Sequence, residues 1–179
     1  TGVGYNALTS VTTSGFNVAM GVNALRYNTA ANNTALGHAS SMNTAGGTRN
    51  VSVGANSLYT NVSGNYNVAI GYGSLYLNTA SNNVAIGYDA LTDNTTGGNN
   101  VAVGHEASSN VTTGSNSVAI GYQALYTNTT GSENIAIGYN ALGANTTAND
   151  NIAIGYIALE NNTGQRNIAI GKDALRTNT

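Results

Sequence analysis

The chain has 179 residues, of which 7% are charged: five Lys or Arg against seven Asp or Glu, for a formal net charge of −2. That leaves no basic stripe able to neutralise a run of phosphates, which argues against nucleic acid as a partner, and no stretch reaches the roughly 18 apolar residues of a membrane-spanning helix. Cysteine and proline are both absent, which excludes disulfides and thiolate metal sites and leaves nothing to interrupt a hydrogen-bonded strand body.

Reading from the N-terminus, a glycine closes a short apolar run at Gly4, Gly21, Gly37, Gly54, Gly71, Gly87, Gly104, Gly121, Gly138, Gly155 and Gly171, each 16 or 17 residues after the last. Self-similarity at a fixed spacing marks an array whose units bury their apolar sides on their neighbours. Residues 1–179 are therefore expected to form a single repeat array, a piece of a longer fibrous protein.

Within each unit the run before the glycine predicts a strand. One residue before it stands a bulky apolar side chain, as at Ile70, Ile86, Ile120, Ile137 and Ile154, and three before it stands another, as at Val68, Val84, Val118, Ile135 and Ile152. Bulky β-formers at period two are expected to be core. Between them lie small residues such as Ala69, Ala85, Ala119, Ala136 and Ala153. With the glycines Gly71, Gly87, Gly104, Gly121, Gly138, Gly155 and Gly171, these make a smooth face on which another backbone could approach closely. The expected partner for that face is a second sheet or a second chain, the alternative being tight packing within one chain.

After the glycine a second short strand is expected, ending at a core leucine: Leu75, Leu91, Leu125, Leu142 or Leu159. An Asn-Thr segment then turns the coil, as at Asn94-Thr95-Thr96-Gly97, because Asn tolerates left-handed backbone and caps its own chain. Asn stands four before the glycine in nearly every unit, from Asn17 to Asn167, with Ser117 as the exception. One coil apart, about 4.8 Å along the stack, such amides can form a ladder. Asn32, Asn61, Asn94, Asn110, Asn128, Asn145 and Asn161 also head Asn-X-Ser/Thr triplets, which the Asn-Thr turns explain more simply than glycosylation does.

Catalytic and metal chemistry finds little purchase. His38 and His105 occupy the position that Tyr5, Tyr72, Tyr88, Tyr122, Tyr139 and Tyr156 hold in other units, and at four coils apart, roughly 20 Å, they cannot form a metal pair within one chain. Ser40, Ser41 and Ser108 lie near histidines with no third group except Glu106, short of a triad. Asp89 and Glu106 fall one repeat apart and are the one carboxylate pair at glycosidase spacing. No catalytic residue, metal site or cofactor is expected. Tyr59, Tyr76 and Tyr126 offer stacking faces for sugars or partly buried packing, and Thr29, Thr79, Thr95, Thr129, Thr146 and Thr163, one per coil, suggest an alternative reading as an ice- or crystal-binding ladder.

The segment Ser115-Asn116-Ser117-Val118-Ala119-Ile120-Gly121, echoed as NVAIG, NIAIG or a close variant in almost every unit, resembles the SVAIG repeat of trimeric autotransporter adhesin heads. The GYNAL and NTTG elements are similar to repeats of phage or viral tail fibres and bacterial surface fibres. The resemblance implies an all-β chain: a left-handed parallel β-roll, or β-solenoid, of about eleven 16–17-residue coils that assembles as a homotrimer. It further implies an extracellular, cell-surface or virion fibre that attaches to a host surface protein or glycan and does no catalysis. The period here is longer than that of the adhesin heads, and the additional residues fall in the Asn-Thr turn.

Overall fold

A computed structural model describes residues 1–11 and 15–178. The chain is all-β, a parallel β-solenoid with one three-residue strand in nearly every coil and no helix among the described residues. The strands are β1 (Gly2–Val3), β2 (Val18–Met20), β3 (Thr34–Leu36), β4 (Val51–Val53), β5 (Val68–Ile70), β6 (Val84–Ile86), β7 (Val101–Val103), β8 (Val118–Ile120), β9 (Ile135–Ile137) and β10 (Ile152–Ile154), followed by β12 (Ile168–Ile170). They form one 11-stranded sheet in chain order. A separate pair, β11 (Asn161–Asn162) and β13 (Thr177–Asn178), lies in the last turns.

The register follows the repeat: Val68 lies beside Val84, Ala69 beside Ala85 and Ile70 beside Ile86, and the same equivalence continues from coil to coil. Each residue thus meets its own counterpart across the ladder. At about 4.8 Å per strand the sheet is roughly 50 Å long.

The strand faces are reversed relative to the sequence expectation. The small column points inward, with Ala69, Ala85, Ala119, Ala136 and Ala153 fully buried. The bulky columns point outward. Ile70, Ile86 and Ile120 are 37–39% exposed, and Val68, Val84, Val118, Ile135, Ile137, Ile152 and Ile154 are half-buried. The expected core assignment of these ten residues is therefore corrected, whereas Leu75, Leu91, Leu125, Leu142 and Leu159 are fully buried as expected. The reason is volume. The interior faces of so thin a coil are close together, and the leucine column already fills the space opposite the strand, leaving room for a methyl group. The core is accordingly built mainly of Ala and Leu, running in one cluster from Leu58 to Ala169, with Val111 joining it in the coil where buried Ser108 takes the leucine position.

No second strand forms between the glycine and the leucine. The chain bends through successive turns instead, with positive φ at alternate residues: 51° at Gln123 and 52° at Leu125, 50° at Asn140 and 51° at Leu142. Left-handed backbone costs roughly 1–2 kcal/mol for an L-residue, and complete burial of a leucine, worth about 1.5–3 kcal/mol, offsets it. Backbone bonds between coils persist through the bend, as in Leu125 N–H to Ala141 O at 3.0 Å and Gln123 N–H to His105 O at 3.0 Å.

The glycines do pack closely, but their partner is the next coil of the same chain. At Gly121, φ is +132° and an added Cβ would stand 2.4 Å from the carbonyl oxygen of Gly138. The predicted smooth face is thus satisfied internally.

The asparagine ladder is present and continuous. The Asn67 N–H donates to Asn50 Oδ1, the Asn83 N–H to Asn67 Oδ1 and the Asn100 N–H to Asn83 Oδ1, each at 2.9 Å. Ser117 keeps the ladder intact: its N–H donates to Asn100 Oδ1 at 3.0 Å and its Oγ accepts from the Asn134 N–H at 3.2 Å. A second buried column closes the turns. Asn94 Nδ2 donates to Gly97 O at 2.8 Å while Gly97 N–H returns to Asn94 Oδ1 at 3.1 Å. Asn61, Asn94, Asn128 and Asn145 are fully buried in this column, so the Asn-X-Ser/Thr triplets that they head expose no amide at the surface of the folded chain.

One group of buried serines divides the apolar interior. Where the leucine and alanine columns would continue, Ser41 and Ser52 stand, and their hydroxyls lie 2.8 Å apart. Ser40 Oγ donates to Ser52 Oγ at 2.7 Å and lies 3.0 Å from Ser57 Oγ. All four serines are buried. This polar layer divides the core, leaving a smaller cluster of Ala19, Ala24, Leu25 and Ala35 on its N-terminal side.

Candidate interaction face

The outer surface of the sheet carries two parallel rows of mostly Val and Ile side chains, the Val/Ile rows, which the strand register aligns from Val18 to Ile170, with Thr34 interrupting one row and Met20 and Leu36 standing in the other. Immediately past each glycine the chain projects one further outward side chain, and here the in-register stacking produces a column of rings. Tyr72, Tyr88, His105, Tyr122, Tyr139 and Tyr156 lie face to face, with centroids 5.0–5.3 Å apart and interplanar angles of 7–17°. Their edges and hydroxyls, not their faces, meet solvent. His105 sits in this column as one more ring, and Lys172 Nζ caps its far end 5.7 Å from the Tyr156 centroid.

Tyr59 and Tyr76, expected as sugar-stacking groups, stack on each other at 4.8 Å and 7°. Tyr126 occupies the same column but is separated from them by Thr92 and Ser109. The structure therefore brings together two of the three, with one face of each ring already occupied.

Beside the ring column runs a row of polar side chains. Glu106 Oε2 accepts from Gln123 Nε2 at 2.7 Å and lies 3.7 Å from His105 Nδ1. Asn140 Nδ2 donates to Glu160 Oε1 at 2.8 Å, and Glu160 Oε2 pairs with Arg176 Nε at 2.8 Å. Asp89 leans over Gly73, filling the space where a Cβ would stand. Burial raises its pKa, a tendency that the hydrogen bond from Tyr88 opposes, and its charge in turn raises the Tyr88 pKa. The hydrogen bond from Arg176 to Glu160 holds that guanidinium more firmly protonated than usual.

Asp89 and Glu106, adjacent in this row, each engage different neighbours: Tyr88 and Thr92 on one side, Gln123 and His105 on the other. Among the described residues no three His, Asp or Glu side chains converge to hold a metal ion. A depression at the first coil, lined by Leu8, Val11, Phe16 and Val18, is the end of the core. The threonine hydroxyls are engaged in the stack. Thr95 Oγ1 donates to Thr112 O at 2.9 Å, Thr112 Oγ1 to Thr129 O at 3.0 Å and Thr129 Oγ1 to Thr146 O at 3.1 Å.

The ring column was foreshadowed by the equivalence of Tyr and His after each glycine. What sequence reasoning missed is that the Val/Ile rows belong to the same outer surface. Compared with family models, with curated proteins and with solved structures, the chain has no match.

Proposed function

We propose that the chain is a segment of an extracellular structural and adhesive fibre, on a cell surface or a virion, that associates with copies of itself and mediates attachment to a host surface protein or glycan. The observation that carries the reading is the outer face of the sheet. Its two aliphatic rows run about 50 Å by about 10 Å, roughly 500 Å², which is near the size of the largest apolar patch on a typical monomer before the adjoining tyrosines are counted. A second copy, with the same repeat in the same register, matches such rows along their whole length. Closed symmetry admits a dimer or a trimer, and the adhesin-head resemblance favours the trimer, with the Val/Ile rows replacing the Ala/Gly surface as the seam. The resemblance of the NVAIG units to adhesin-head and tail-fibre repeats supports the same reading, as does the solenoid fold.

Attachment then falls to the surfaces outside the seam, the Asn-Thr turns and the Tyr59–Tyr76 pair. Sedimentation equilibrium of the purified segment, followed by binding to an array of immobilised glycans, tests the proposal. A trimer mass with glycan retention is expected; a stable monomer with no retention on any surface would overturn it. The ice- or crystal-binding alternative draws less support, because the hydroxyls of Thr29, Thr79, Thr95 and Thr129 donate to carbonyls of the next coil.

A further inference from the structure

The ring column has a chemical property that neither packing nor attachment requires. Phenol side chains on successive coils are held face to face by the backbone ladder, with their hydroxyl edges in solvent: Tyr72, Tyr88, Tyr122, Tyr139 and Tyr156 are each 41–49% exposed. Two reactive groups held side by side meet far more often than the same groups free in solution. Radical coupling, which needs two phenoxyl radicals to meet, gains most from such an arrangement.

We propose that this column, together with Tyr59 and Tyr76, is a site of oxidative covalent modification in which tyrosines of successive coils couple to dityrosine. The oxidant class is a peroxide turned over by a haem peroxidase. Each of two neighbouring phenols gives up one electron and one proton. The two phenoxyl radicals then join through ring carbons ortho to oxygen, forming one C–C bond, and each ring regains aromaticity as its ortho hydrogen is lost and its oxygen is reprotonated. The electrons and protons released reduce the peroxide to two waters. The product is a covalent staple across the ladder, added to a body that has no cysteine to make one.

The column specifies which staples form. Tyr72–Tyr88, Tyr122–Tyr139 and Tyr139–Tyr156 are adjacent phenols, with centroids 5.0–5.3 Å apart, and Tyr59–Tyr76 is a fourth such pair at 4.8 Å. His105 separates Tyr88 from Tyr122, so no staple crosses it. Tyr5 is more exposed, at 74%, and Tyr66 is 54% exposed, yet Tyr5 has Val22 as its counterpart on the next coil and Tyr66 is covered by Arg49.

The test treats the purified protein with hydrogen peroxide and a haem peroxidase, separates single chains from cross-linked ones under denaturing conditions, and maps the links by mass spectrometry. Dityrosine within single chains, at the four named pairs, is the expected result. Tyr139→Phe keeps a ring in the stack but supplies no phenoxyl; it is expected to abolish both links it shares and leave Tyr72–Tyr88 and Tyr59–Tyr76 unchanged. His105→Tyr is expected to add links on either side of position 105. Links concentrated on Tyr5 and Tyr66 would show that exposure alone governs the chemistry, and would overturn the proposal. So would links formed only between chains, or no dityrosine in protein that retains its β signal.

Discussion

Replacing Gly121 with alanine isolates what the close approach of successive coils contributes. At φ +132° an L-residue carries backbone strain of about 1–3 kcal/mol. The new Cβ would also stand 2.4 Å from Gly138 O, about an ångström short of ordinary contact, and the obstacle is backbone. Relieving it parts the two coils and weakens ladder bonds such as Gly138 N–H to Ile120 O, now 2.8 Å, at about 0.5–1.5 kcal/mol each. The expected total is about 3–5 kcal/mol. Two other glycines divide this sum. Gly171 has φ +123° but nothing within 4 Å of an added Cβ, so Gly171→Ala carries the strain alone; Gly15 has an open surround and no positive φ, so Gly15→Ala is expected to be neutral or slightly stabilising. Because each coil touches only its neighbours, the effect is local, and amide hydrogen exchange resolved by coil is the appropriate assay. At about 1.4 kcal/mol per factor of ten, Gly121→Ala is expected to speed exchange in the coils around Gly104, Gly121 and Gly138 by a hundredfold or more. Equal local effects for Gly121→Ala and Gly171→Ala would refute the close-approach argument and leave strain as the sole cause.

Three other predictions concern polar groups. Ser52→Ala leaves the hydroxyl of Ser41 without its partner and is expected to cost about 1–3 kcal/mol in equilibrium denaturation; the double variant Ser41→Leu with Ser52→Ala rejoins the two core clusters and is expected to recover that loss. Asn134→Ala removes the acceptor of the Asn151 N–H and the donor to Ala148 O, and about 1–3 kcal/mol of destabilisation is expected, centred on those two coils by exchange. Asp89 titrates above the usual aspartate range because of burial, so between about pH 4, its unfolded value, and its raised folded value the native state holds the additional proton. Stability contributed by this group therefore falls as pH rises through that window. Asp89→Asn is expected to flatten that dependence, as measured by denaturation at a series of pH values, and to match the parent below the window.

The repeat, the strand before each glycine, the leucine column and the Asn ladder are all legible in the residues, since each depends on a chemical type recurring at one spacing. The orientation of the strand is not. Val-Ala-Ile alternation announces two faces but does not say which is inside, and the usual presumption that large apolar residues point inward fails where the opposite wall is a leucine at a methyl group's distance. The bend after the glycine was equally hidden, because leucine at positive φ is disfavoured in isolation and is compensated here only by complete burial. The ring column stood in the sequence as a Tyr and His equivalence, but its face-to-face geometry depends on strict register, and register belongs to the backbone.

The same register sets how such a body can change in size. Every coil between the ends offers its neighbours backbone carbonyls and amides in the same register that it receives, so a whole coil inserted or excised rejoins the backbone ladder and alters reach by about 4.8 Å. A partial coil would displace each row of side chains from its counterpart. Length in this molecule is thus a discrete quantity, open to adjustment by recombination between repeats in steps of 16 or 17 residues, with the chemistry of the remaining surface left as it was.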